Sequence, residues 1–228
     1  MSYQLPDAKM LAALDASRRY HESLQQDLPP GTPRPGETVG WPDETIEGID
    51  LRGAVLVGAV LLGTRFLRCC LDDATVHGAL AGGSVWDGSS LRGAAFVKAE
   101  LTEASFVGCD LENARLMKAT LLRAVFSGAR ARGANFSDAD LDAARFDRAD
   151  LTDADLSLAT LVGTDLSGAR LDGCNLTGAL IDPRTNFTGC TGLQTVTAQY
   201  LTVDGRRVDQ QEAATILSAR AAGGLGLV

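Results

Sequence analysis

Carboxylates crowd one part of this chain: Asp138, Asp140, Asp142, Asp147, Asp150, Asp153, Asp155 and Asp165, against only Arg145 and Arg148 in the same stretch. Just before them Arg115, Lys118, Arg123, Arg130 and Arg132 follow one another with no acid between Asn113 and Asn135. A basic belt therefore abuts an acidic one, in a chain of formal net charge −8. Carboxylates in such numbers can do acid–base chemistry, ligate cations, or present a field of negative charge to a partner. The first needs a desolvated pocket that tunes pKa values, and alternation with other polar residues does not suggest one. Neither histidine, His21 nor His77, stands beside a nucleophile in a catalytic motif. The five cysteines (Cys69, Cys70, Cys109, Cys174 and Cys190) show no CxxC spacing, so neither a metal nor a disulfide framework is expected. Gly82-Gly83 lacks the strand, glycine loop and helix of a phosphate cradle. The residues thus predict no enzyme, no catalytic residue, no metal and no cofactor. The third chemistry, a charged surface for a partner, is what remains, and the net acidity disfavours direct nucleic-acid binding.

What positions these charges is a repeat of five. From Ile46 every fifth residue is apolar, through Leu51, Leu56, Leu61 and Phe66 to Leu171, Leu176 and Ile181, with Ala81 and Ala131 the small exceptions. Two residues before each from Leu56 on stands a second fixed position, from Ala54 to Ala179, mostly Ala and otherwise Ser, Thr or Cys. A helix repeats its apolar face every 3.6 residues and a strand every 2, so neither holds this register. Short extended pieces separated by bends, wound into a solenoid, do. The aromatics set the turn length: Phe66, Trp86, Phe106, Phe126 and Phe146 recur every 20 residues, as one stacked column would if four units close a coil. These five are the expected structural core.

The units Ala139-Asp140-Leu141, Ala149-Asp150-Leu151 and Ala154-Asp155-Leu156 carry an A-(D/N)-L-x-x pattern that resembles the pentapeptide-repeat family. That resemblance implies an all-β solenoid, a right-handed quadrilateral β-helix of about seven coils. It places the Leu/Phe and Ala positions inside and the other three outside. The residue patterns along the chain divide it into residues 1–45 (N-terminal helix and Pro-rich strap), 46–192 (β-helix) and 193–228 (C-terminal hairpin, helix cap and frayed tail).

The two ends read differently from the middle. Residues 7–26 read as a helix with Asp7 as N-cap and Met10, Leu11, Leu14 and Leu24 as an apolar stripe, placed to cap the first coil. Leu28 to Gly36 is too rich in Pro and Gly for regular structure, and Trp41-Pro42 anchors this strap on the first coil. Outward Val55, Val57, Val60, Leu62 and Leu67 suggest a surface covered by the N-terminal helix. Past Ile181, Pro183 breaks the register and Thr185 to Gly189 looks like one more unit displaced by a residue. A hairpin around Asp204-Gly205 and a helix from Asp209, with a capping-box-like Glu212, complete the chain. With no leader at Met1 to Pro6 and no apolar run of bilayer length, a cytoplasmic location is expected.

Two functions are open. The chain resembles the fluoroquinolone-resistance members of the family, whose acidic rods imitate duplex DNA and occupy DNA gyrase or topoisomerase IV. The eight aspartates above would then be the partner-binding residues. The alternative is a general protein-binding scaffold, a regulatory or immunity factor for one protein partner. Either allows a homodimer, and neither involves a membrane.

Overall fold

In the computed structural model, residues 4–23 and 40–223 are described. Its main body is a solenoid held by parallel backbone pairings between residues 20 apart, such as Val55 with Thr75, Thr75 with Ala95, and Ala95 with Arg115. One of these pairings is long enough to make two strands, β1 (Thr45–Glu47) on β2 (Arg65–Leu67). One unit shows how the backbone is satisfied. Leu141 N–H donates to Thr160 O at 3.0 Å and Ala143 N–H to Val162 O at 2.8 Å, both on the next coil. Ala144 N–H turns back to Leu141 O at 3.0 Å, and Arg145 N–H reaches the previous coil at Ala124 O, 2.9 Å. The remaining N–H, on Asp142, meets the Asp140 carboxylate at 3.2 Å. The Asp or Asn before the inward residue is therefore a backbone partner. Asn135, Asp150, Asp155, Asp165 and Asn175 each accept from the N–H two residues on in the same way.

Each unit bends at the second residue after the inward one, which takes positive φ: 65° at Gly128, 57° at Arg123, 55° at Ala143. Glycine adopts this at no steric cost, so it recurs there. At Gly133 (φ 63°) a Cβ would also lie 2.6 Å from Asn113 Oδ1, so any other residue there would push the Asn113 amide aside.

Inside, the inward residues from Leu56 to Ile181 are wholly buried. Phe106, Phe126 and Phe146 stack face to face, with centroids 4.8 and 4.6 Å apart and planes within 4°. Phe66 and Trp86 continue the column at 4.3 Å, and Trp86 meets Phe106 at 6.1 Å. Phe96 and Phe136 stand edge-on to it from a neighbouring column. Polar residues at the small inward position carry their own solution: the hydroxyls or thiols of Thr64, Ser89, Cys109 and Thr164 donate to the carbonyls of Trp41, Phe66, Trp86 and Leu141 on the coil before. Ser84 instead accepts from the indole N–H of Trp86 at 2.7 Å.

At the N-terminal end the ladder starts earlier than Ile46. Gly40 pairs with Val60, and Trp41 is an inward residue at the same five-residue spacing, 4 % exposed and edge-on to Phe66. It belongs to the coil itself and is no anchor laid on its outside. Gln4 adds one further parallel pairing, its N–H to Gly48 O and its carbonyl to Asp50 N–H, both at 2.7 Å. Helix α1 (Ala8–Ser23) follows, with Asp7 accepting from Met10 N–H, and rests Met10, Ala13 and Leu14 on the core. The last residues of the expected helix, with Leu24, and the Pro-rich strap lie outside the described residues, as does the side chain of His21.

After β3 (Leu180–Ile181) the pairing interval grows to 21, with Asp165 on Asn186 and Arg170 on Thr191, and then to 22 for Asn175 on Thr197. Asp182 manages the first insertion by accepting from the N–H groups of Gly163, Arg184 and Thr185, while Pro183 sits where no donor is needed. Phe187 returns the chain to the core. A short 3-10 turn (Leu193–Thr195) precedes β4 (Tyr200–Val203), which pairs parallel with β3 and antiparallel with β5 (Arg206–Asp209). Helix α2 (Gln210–Ala221) buries Ala213, Ile216 and Leu217. Its N-cap is Asp209 alone, accepting from Gln211 and Glu212 N–H, because the Glu212 carboxylate pairs with Arg206 instead of closing a capping box.

Replacing Phe126 by Ala removes a ring with stacked neighbours on both sides and is expected to cost about 3–5 kcal/mol in denaturant titration. Ala129→Leu, at a buried small position, is expected to cost about 1–3 kcal/mol through overpacking. Stabilities equal to the parent protein would show that these positions do not pack against the neighbouring coils.

The turn carboxylates also imply a pH dependence. The Arg52 side chain holds Asp50 below the ordinary carboxylate range. Burial pushes Asp182 upward, but the Arg184 side chain and the N–H of Gly163 outweigh it and the carboxyl ends lower. A folded value below the unfolded one gives stability that is present above the unfolded value, about 3.9, and lost as pH falls through the folded one. Melting temperature should therefore hold between about pH 7 and 5 and fall below about 4; a melting curve unchanged at pH 3 would remove these carboxylates from the stability of the fold.

Candidate interaction surface

With Leu, Phe and Ala inside, binding chemistry must sit on the three outward residues of each unit. The basic belt does not stand free. Lys118 lies 3.9 Å from Asp138, Arg123 2.8 Å from Glu103, Arg130 3.9 Å from Asp110 and Arg132 3.6 Å from Asp150. Each pair links neighbouring coils, Lys118 and Arg132 to the acidic belt and Arg123 and Arg130 to acids one coil before. These side chains are largely exposed, and such pairs contribute only about 0–1 kcal/mol each. Their effect is on the field: part of the acidic charge is neutralised where it emerges.

The eight aspartates differ in how free they are. Asp140, Asp150, Asp155 and Asp165 use an oxygen on the turn N–H groups described above, and Asp142 accepts from Val162 N–H at 3.1 Å on the next coil. Asp147 is the most enclosed, 8 % exposed. It accepts from the Ser127 hydroxyl at 2.5 Å and pairs with Arg145 and Arg148. Burial works to raise its carboxyl, while Ser127 and the two arginines bring it below the ordinary range. Burial likewise works against Asp150, which Thr152 and Arg132 pull down. Asp138 and Asp153 occupy the left-handed turn position, φ 59° and 57°, and are the exposed members of the eight, Asp138 within 3.9 Å of Lys118. By register the eight fall in four columns around the coil. The structure does not gather them into one stripe.

The apolar outward residues read from the sequence are covered only in part. Helix α1 stands over Leu51 to Val55, where Pro6, Leu11 and Leu14 line a cleft with Arg52 and Ala54. Leu62, by contrast, is 47 % exposed and Leu80 46 % exposed. The reading of this patch as covered is thus corrected at Leu62, while Val55, Val57, Val60 and Leu67 are half-buried. The signal was present in Leu80, which occupies the column of Val60 one coil on.

The cysteines are all free thiols. Burial pushes Cys109 up to about 12 and Cys190 to about 11, and raises Cys69, Cys70 and Cys174 too, which leaves no thiolate poised for nucleophilic attack. Among the described residues no group of His, Cys, Asp and Glu is arranged to hold a metal ion, and no helix is long and apolar enough to cross a membrane.

Comparison with known proteins follows the repeat. A model of the pentapeptide repeat region matches residues 99–176, and a model of pentapeptide repeats in eight copies matches residues 46–80 and 69–106. No curated protein sequence matches. Among solved structures, HetL, a pentapeptide repeat protein involved in heterocyst differentiation regulation in the cyanobacterium Nostoc, is 26% identical over 74% of this chain and 91% of its own, with a TM-score of 0.29. A trypsin-treated form of QnrB1, a plasmid-mediated fluoroquinolone resistance protein, is 19% identical over 77% of this chain and 94% of its own, TM-score 0.35. A thylakoid-lumen pentapeptide repeat protein of Arabidopsis thaliana is 26% identical over 52% and 83%, TM-score 0.34. With its repeats matched from residue 46 to residue 176, the chain belongs to the pentapeptide-repeat family.

Proposed function

We propose that this protein is a non-enzymatic interaction rod, a right-handed quadrilateral β-helix of about seven coils closed at both ends, that binds a type II topoisomerase as a DNA mimic. The observation that carries the reading is the uninterrupted 20-residue ladder. It displays Asp138, Asp140, Asp142, Asp147, Asp150, Asp153, Asp155 and Asp165 over consecutive coils of a chain with net charge −8. Carboxylates on every side of a rod are what a surface evolved for duplex DNA would meet as phosphates. Resistance to fluoroquinolones, the property in the name of QnrB1, is the biological outcome such binding to DNA gyrase or topoisomerase IV would have. The protein acts in the cytoplasm in this reading, and needs no cofactor. Helix α2 covers the C-terminal end, which favours a single rod over a homodimer stacked through that end.

A second reading has its own support. The ion pairs between belts and the exposed Leu62 and Leu80 suit a scaffold for a protein partner with an apolar contact surface.

Inhibition of gyrase supercoiling separates the two. Mimicry requires inhibition at low salt that weakens steeply as salt is added. Asp140→Asn, Asp150→Asn and Asp155→Asn combined should abolish it while leaving the melting temperature in place. Those substitutions keep the turn, since Asn135, Asn175 and Asn186 already accept the same N–H in this protein. A protein that leaves both gyrase and topoisomerase IV untouched at low salt is a scaffold.

A further inference from the structure

The C-terminal end of the rod holds a buried guanidinium with no acid beside it. Arg220, in the last turn of α2, is 6 % exposed. Its Nη1 donates to the backbone carbonyl of Asp182 at 2.5 Å. Its Nε is buried and has no hydrogen-bond partner. The Asp182 carboxylate does not serve it: one oxygen accepts from Gly163, Arg184 and Thr185, and the other from Arg184 Nε at 2.7 Å. Among the described residues Arg220 makes no ion pair. A buried charge left without a counter-ion is costly, and natural proteins rarely retain one.

The same side chain lines a cleft of about 190 Å³ with Arg184, Phe187, Thr188 and Gly223. With Nη1 committed to Asp182, the edge left over is the one shared by Nε and Nη2, the fork that matches two oxygens of a carboxylate or phosphate. Arg184 also lines the cleft, its Nε held on the Asp182 carboxylate at 2.7 Å. The backbone carbonyls of the α2 terminus do not compete for the fork, since Ala221 O accepts from Gly189 N–H and Arg220 O from Gly223 N–H. We propose that this cleft binds a small oxyanion, a phosphate or carboxylate held by the Nε/Nη2 edge of Arg220 with Arg184 as the second cation. The volume is below the roughly 300 Å³ at which drug-sized ligand pockets begin, so the anion itself is recognised with little of any larger molecule.

The test is a nuclear magnetic resonance titration of the ¹⁵N-labelled full chain with inorganic phosphate and, separately, succinate, with chloride exchanged to hold ionic strength. The Arg220 Nε–H and the backbone N–H of Gly223 are followed. A saturable shift is expected, with Kd about 1 mM or tighter for one of the two anions. The tighter anion identifies the chemical class. Arg220→Lys keeps the charge but loses the fork, and should weaken binding at least about tenfold. Arg184→Gln leaves the bond from Arg220 Nη1 to the Asp182 carbonyl in place and should weaken anion binding several-fold. Shifts that grow linearly without saturation, or an affinity unchanged in Arg184→Gln and Arg220→Lys, overturn the proposal. If Arg220→Lys does not fold, Arg184→Gln decides, because the Arg220 Nε–H remains to be read.

Discussion

Every coil of this protein depends on its backbone groups finding partners 20 residues away. Isolated from its neighbours, a unit such as Leu141 to Arg145 would keep only the turn bond from Ala144 to Leu141 and the side-chain bond from Asp140. The other N–H groups point to the coils before and after. Unmet backbone donors beside a buried Leu are costly, so no coil is stable alone and each is ordered by the next. The same rule dictates the side chains. An inward residue has its counterpart one coil away as a neighbour, which favours Phe over Phe in one column and Leu over Leu in others, with Ala wherever the chain turns back. It also explains why a Ser, Thr or Cys is tolerated among the alanines: a carbonyl of the previous coil is within reach.

A ladder of this kind has two raw ends, and both are covered by material that breaks the repeat. Gln4 extends the pairing by one residue and α1 places Met10, Ala13 and Leu14 on the first coil. At the other end the interval stretches from 20 to 22, and the β3–β4–β5 sheet receives α2. Open edges invite pairing with another chain, and a rod that remains single must blunt them. The long faces are left for function. They present paired charges, a few free carboxylates and an apolar spot at Leu62 and Leu80.

The period, the coil length and the inward residues were legible because they are repeated nearly thirty times over, and the spacing of Phe66, Trp86, Phe106, Phe126 and Phe146 counts the turn directly. The single events were harder to read. Trp41 holds the register, but Pro42 and Asp43 after it do not look like a repeat, so the start of the ladder was placed at Ile46. The displaced unit at Asn186 was readable from Pro183. Asp140, Asp150, Asp155 and Asp165 read as charges facing solvent, although their first task is to accept a turn N–H, a role visible only once the turn geometry is known. Arg220 falls at the basic end of an ordinary helix pattern, and its burial depends on the loop of Asp182 to Thr188, far away in sequence.

The most direct test of this architecture is to change the length of the rod. Duplicating the 20 residues 116–135 in place adds one whole coil and keeps Phe126 over its own kind. Duplicating only the five residues 121–125 turns everything beyond by one column and sets Phe rings over Leu. Thermal unfolding followed by near-ultraviolet circular dichroism should show the 20-residue duplication melting cooperatively at or above the parent temperature, and the five-residue duplication well below it. Equal melting temperatures for the two duplications would contradict a coil of 20 residues whose columns carry the core.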